Sequence, residues 1–172
     1  MSDWIKAFNP TSPITTEAEA EGAARASAVA MFIGAAVGVV SVVWTLANPG
    51  EIQAALDSVN QANPDAAAAA AAGAQVGLWL AGGLAVLQLI LGLVQWRNPG
   101  KLLAILFLVL VLFGIVSTAA TPLIAGAMPN IPVTPMWQIA LSLVVMAVQL
   151  ILLIAGLRGI SRLDRLQMEG AR

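Results

Sequence analysis

LLAILFLVLVLFGIVSTAATPLIAG, residues 102–126, runs for 25 positions without a charged side chain. A helix rises about 1.5 Å per residue, so this stretch exceeds the ~20 residues that cross a bilayer's hydrocarbon core. Three other segments pass the same test. Residues 26–47, 66–96 and 136–157 are each free of charge, and the second of these is longer than one crossing needs. Runs of this kind are the strongest signal that a single sequence carries. The reading is all-α: an integral membrane protein built as a four-helix transmembrane bundle, one domain from end to end.

Composition agrees. Of 172 residues, 59% are hydrophobic and 10% charged, with 15 glycines besides. Soluble domains carry roughly 25% charged residues, and a chain this small has no interior able to hide so much apolar surface. Disorder is excluded by the opposite signs: it needs low hydrophobicity and high net charge, whereas the mean hydropathy is +0.88 and the net charge -1. Cys, His and Tyr are absent. That removes disulfides, thiolate or imidazole metal sites and every nucleophile–histidine pair.

The cations set a direction. With four spans, Lys6 and Arg25 fall on the same side as Arg97 and Lys101, and the tail residues Arg158, Arg162, Arg165 and Arg172 join them. All eight Lys and Arg then share one side, and the opposite loops hold only Glu51, Asp57 and Asp65. Lys/Arg asymmetry orients membrane proteins, so both termini are expected in the cytoplasm. An odd number of spans destroys this partition. The tryptophans follow the same geometry: Trp44, Trp79 and Trp137 near the outer boundary, Trp96 and Trp4 near the inner one, where an indole finds both apolar and polar surroundings. The first span is expected to stay in the mature protein, because an acidic segment with Glu17, Glu19 and Glu21 precedes it and its apolar core exceeds a signal sequence's.

The expected organisation is an N-terminal segment with an interfacial anchor (1–25), a first span (26–47), an outer loop with a short helix (48–65), and a second span with an outer extension (66–96). A turn (97–101), a third span (102–126), an outer loop (127–134), a fourth span (135–157) and a basic tail (158–172) complete it. Asn48-Pro49-Gly50-Glu51 and Asn63-Pro64-Asp65 read as helix starts, with Asn as N-cap and Pro in the first turn. Asn98-Pro99-Gly100 and Thr134-Pro135 punctuate the chain in the same way, and this recurrence is capping chemistry rather than duplication. Thr16 and Glu19 form a capping-box pattern that starts the first helix ahead of its span, and Glu21 and Arg25 pair at (i, i+4). The short outer helix presents Ile52, Leu56 and Val59 on one face. The seven alanines of residues 66–72 extend the second helix outward.

Helices in lipid associate through small residues and interhelical hydrogen bonds. Gly34 and Gly38 on the first span and Gly83 on the second are the packing candidates, with Gly38 at the depth of Gly83. Gln88, Gly92 and Gln95 share a face of the second span, and Gln138, Ser142 and Gln149 a face of the fourth. Equal depth predicts that Gln88 and Gln149 face each other. Pro122 lacks an N–H and is expected to bend the third span. At the ends, Trp4, Ile5 and Phe8 form an apolar interfacial cluster. Arg158, Arg162 and Arg165 make a basic, lipid-facing anchor on an amphipathic helix beside the membrane.

Function is less legible. The spans hold no Asp, Glu, His, Lys, Arg, Cys or Tyr, so they offer no general base, nucleophile or metal ligand set and none of the ionisable residues that mark proton and ion pathways. No catalysis, cofactor or metal is expected, and the near-zero charge gives nucleic acid no purchase. The expected role is that of a non-catalytic accessory, assembly or scaffolding subunit acting through helix packing and its membrane-proximal ends. Its partners are the lipid bilayer and a second membrane protein or further copies of itself. The alternative is a small oligomeric channel or transporter for a neutral solute. The lack of N-glycosylation sites and of a leader points to a bacterial cytoplasmic membrane.

Overall fold

The structure, a computed structural model, describes residues 7–127 and 135–170. Trp4, Ile5, Lys6, Arg172 and most of the 127–134 loop lie outside the described residues. Five long α-helices follow one another among the described residues: α1 (Glu17–Ala47), α2 (Pro49–Ala62), α3 (Pro64–Arg97), α4 (Lys101–Ala127) and α5 (Met136–Gly170). Four of them, α1, α3, α4 and α5, are long and apolar enough to cross a membrane. At 35 residues, α5 is about 52 Å long and outruns any bilayer core.

α1 starts on a complete capping box. Thr16 Oγ1 accepts from Glu19 N at 3.2 Å, and the Glu19 carboxylate accepts from Thr15 N at 2.8 Å and Thr16 N at 3.3 Å. Glu21 and Arg25 pair at 2.5 Å. The two asparagine caps behave differently from expectation. Neither Asn48 nor Asn63 makes a side-chain cap bond to the helix that follows. The Asn48 amide instead donates backward to Trp44 O at 2.9 Å, because only Asn48 separates α1 from α2 and the last carbonyls of α1 need donors. Proline at the first position of α2 and α3 stands as read. α4 continues through Pro122.

α1 is the hub. It packs along α5 and α3, α4 lies along α5, and α2 folds back on α3. Although a three-residue turn joins α3 to α4, those two helices barely touch. Both major seams run antiparallel in fixed register. On α5, Gly159 meets Ala24, Gly156 meets Ser27 and Gln149 meets Gly34; on α3, Gly92 meets Phe32, Gln88 meets Gly34 and Ala85 meets Gly38. Each step forward along α1 is a step backward along its neighbours.

The core is not centred. The buried residues of α1 lie between Ala20 and Ala35. They pack with Phe107 of α4 and with Leu152, Leu153 and Ala155 of α5, and Ala24, Ala104 and Ile160 form a second cluster beyond them. Fewer residues are buried toward the other end, where Ile139 is buried while Val40, Leu46, Trp79, Leu80, Leu84 and Val116 are exposed. Two sequence expectations are corrected here. Gly83 does not pack against Gly38: nothing lies within 4 Å of a Cβ on it, and Gly38 meets Ala85 instead. Two residues along a helix turn the side chain by about 200°, so a depth estimate good to a few ångströms still selected the wrong face. Phe8, expected as an interfacial anchor, is partly buried against the core cluster.

Candidate functional site

Among the described residues, three polar arrangements stand in the half of the bundle where packing is dense. The first is a glutamine layer. Gln149 is buried and donates from Nε2 to the Ala30 carbonyl at 3.1 Å. Its amide nitrogen lies 2.7 Å from the position a Cβ on Gly34 would take, and the Gln88 amide occupies the same space from the α3 side. Gln88 and Gln149 thus converge on Gly34 from opposite helices, the missing side chain of the glycine making room for both. The Nε2 hydrogen bond of Gln149 goes to backbone rather than across to Gln88.

The second arrangement ties three elements together. Gln95 is fully buried. Its Nε2 donates to Ser27 Oγ at 2.9 Å and to Gly100 O at 3.1 Å, while its Oε1 accepts from Gly100 N at 3.1 Å. Ser27 Oγ in turn donates to Ala24 O at 2.7 Å. One side chain therefore closes the α3–α4 turn and fastens it to α1, with every polar atom partnered. Gln95 was legible only as a member of the Gln88, Gly92, Gln95 face; that face is the one turned to α1. Nothing in the spacing marked it as a turn clasp, since its partner Gly100 contributes backbone alone.

The third is the basic end. Among the described residues all six cations, Arg25, Arg97, Lys101, Arg158, Arg162 and Arg165, occur at the end of the bundle where α1 and α4 begin and α3 and α5 finish. Lys101 pairs with Asp164 at 2.6 Å, joining α4 to α5. The Arg25 guanidinium lies 5.4 Å over the Trp96 ring, within cation–π range, and Trp96 in turn tilts against Phe32 at 6.2 Å. The segment before α1 folds across this end: Ala7 lies 3.7 Å from the Cβ position of Gly22, and the Pro10 carbonyl accepts from Arg158. Between this segment and α5 opens a groove of about 390 Å³, lined by Pro13, Ile14, Arg158, Ser161, Arg162 and Arg165. The three arginines expected as a lipid-facing anchor thus line one face, with Arg158 and Arg165 exposed and Arg162 half-buried.

No group of three or more His, Cys, Asp or Glu side chains able to hold a metal occurs among the described residues. Of the packing candidates, Gly34 and Gly38 lie in the α1–α3 seam and Gly83 outside it. The closest seam escaped sequence reading. Gly156 and Gly159 of α5 press on Ser27, Ala23 and Ala24 of α1, where the expected N-terminal segment (1–25), with its Glu17, Glu19, Glu21 and Arg25, meets the first span (26–47). The small-residue spacing of Ala20, Ala23, Ala24 and Ser27 was the available signal. Comparison with family models, with curated proteins and with solved structures finds no match to this chain.

Proposed function

We propose that the chain is a non-catalytic membrane subunit, an accessory, assembly or scaffolding component. In this reading it crosses a bacterial cytoplasmic membrane four times with both termini in the cytoplasm. One observation supports it best. The bundle is welded at its basic end and open at the other, where α3 presents Gly77, Trp79, Leu80, Gly83 and Leu84 to its surroundings. Small residues on an uncovered membrane helix are what close helix–helix contact in lipid requires, whereas the polar side chains inside the bundle are spent on holding it together.

Purification from native membranes in mild detergent tests this. A second polypeptide recovered at constant stoichiometry, cross-linked to α3, supports the reading. A clean monomer under conditions that preserve known membrane complexes overturns it, as does solute flux in proteoliposomes containing this chain alone.

A further inference from the structure

The groove at the basic end has a composition that structural packing does not call for. Arg158, Arg162 and Arg165 stand at (i, i+4, i+7) on α5, so their guanidinium groups share one helix face, with Ser161 beside them. Like charges at this spacing repel. Two other cations at this end are partnered, Arg25 by Glu21 and Lys101 by Asp164, whereas Arg97 stands outside the groove as a single exposed charge at the end of α3. Among the described residues Arg162 and Arg165 make no ion pair, and the groove lining contains no carboxylate. Its other wall is apolar, formed by Pro13 and Ile14. Arg158 also donates to Pro10 O, in the same segment as this wall.

We infer that this groove binds a phosphate oxyanion. Arginine forks match phosphate oxygens in bidentate geometry and stay charged at any physiological pH. A serine hydroxyl adds a neutral donor, and the volume accommodates a phosphate with a small organic substituent against Pro13 and Ile14. Arg158 is the first charged residue after the uncharged run of residues 136–157. Resting on the membrane reading above, the groove lies at headgroup level, and an anionic phospholipid is one source of the phosphate; a soluble phosphate compound is the other. The site distinguishes bound phosphate from the diffuse attraction that any basic tail exerts on an anionic surface.

The test uses the full chain in neutral detergent. Phosphatidylglycerol and phosphatidylcholine are titrated in turn with bound lipid counted by native mass spectrometry, and inorganic phosphate is titrated by calorimetry. Phosphatidylglycerol is expected to bind in preference to phosphatidylcholine. Arg162→Gln and Arg165→Gln should each weaken binding about fivefold, from ~1 kcal/mol per basic residue near an anionic surface. Arg162→Lys, which keeps the charge and loses the fork, should weaken it less. Arg97→Gln removes one cation from the same end outside the groove and should leave binding unchanged. Inorganic phosphate binding with the same variant pattern assigns the site to a soluble ligand. Circular dichroism of each variant separates lost binding from lost folding. The inference is overturned if neither probe binds better than phosphatidylcholine, or if Arg97→Gln weakens binding as much as Arg162→Gln. The phosphate arm can be read whether or not the chain needs detergent, so failure of the membrane reading and failure of the site give different results.

Discussion

Gly156 of α5 lies so close to Ser27 of α1 that a methyl group added to the glycine would come within 2.5 Å of the serine Cβ and 2.7 Å of its backbone nitrogen. Gly159 one turn on is tighter still, because the atoms nearest its Cβ position are backbone, Ala24 N and then Ala23 C at 2.6 Å. Backbone cannot rotate away as a side chain can. Gly156→Ala and Gly159→Ala are therefore expected to destabilise the bundle by about 1–3 kcal/mol each, the usual cost of overpacking, with Gly159→Ala the more severe. Gly83→Ala meets open space and should be neutral or stabilising by up to about 1 kcal/mol through helix propensity. Unfolding of the three variants in detergent, followed by circular dichroism, ranks them. Equal effects at Gly83 and Gly159 would contradict the seam.

Gln95 should behave as a clasp. Replacing it with Leu leaves Ser27 Oγ without its donor and Gly100 N without its acceptor, while Gly100 O keeps only the Ala104 N–H. Leaving buried polar groups unpaired costs about 1–3 kcal/mol. Gln95→Leu is expected to fall in that range and to raise amide hydrogen exchange at Gly100. Gln75→Leu on the exposed, opposite end of α3 should do neither.

The glutamine layer predicts a compensated pair. Gly34→Ala places a methyl group where the Gln88 and Gln149 amides now sit, but both obstacles are the ends of flexible side chains. Gly34→Ala should therefore destabilise, and Gln88→Ala should partly relieve it, giving a favourable coupling of about 0.5–2 kcal/mol in a double-mutant cycle. Strict additivity would show that the two residues do not share this space. Gln149→Leu should cost more than Gln88→Leu, since Gln149 also serves the Ala30 carbonyl.

What could be read from the chain follows from which physical scale governs each feature. The four long helices were legible because each contains an uncharged apolar run at least as long as a bilayer crossing, such as residues 102–126. The capping box at Thr16 and Glu19 was legible because both partners are local. Rotation about a helix axis was not. Gly38 and Gly83 have matching depth, yet Gly38 meets Ala85, since two residues of offset invert the face. The Gln88, Gly92, Gln95 stripe identified an interior face correctly, but which neighbour it turned to depended on packing between helices. The groove at Arg158, Arg162 and Arg165 required knowledge that residues 10–14 fold back over α5, and no local pattern in that segment announces it.

The central claim is an even number of crossings with every cation on one face. The chain has no native cysteine, so Thr11→Cys, Ser58→Cys and Met168→Cys, one at a time, give clean reporters in the N-terminal segment, α2 and the tail. In intact cells an impermeant maleimide is expected to label Ser58→Cys, and to reach Thr11→Cys and Met168→Cys only after the membrane is opened. Labelling of Thr11→Cys and Met168→Cys from opposite faces would contradict the account.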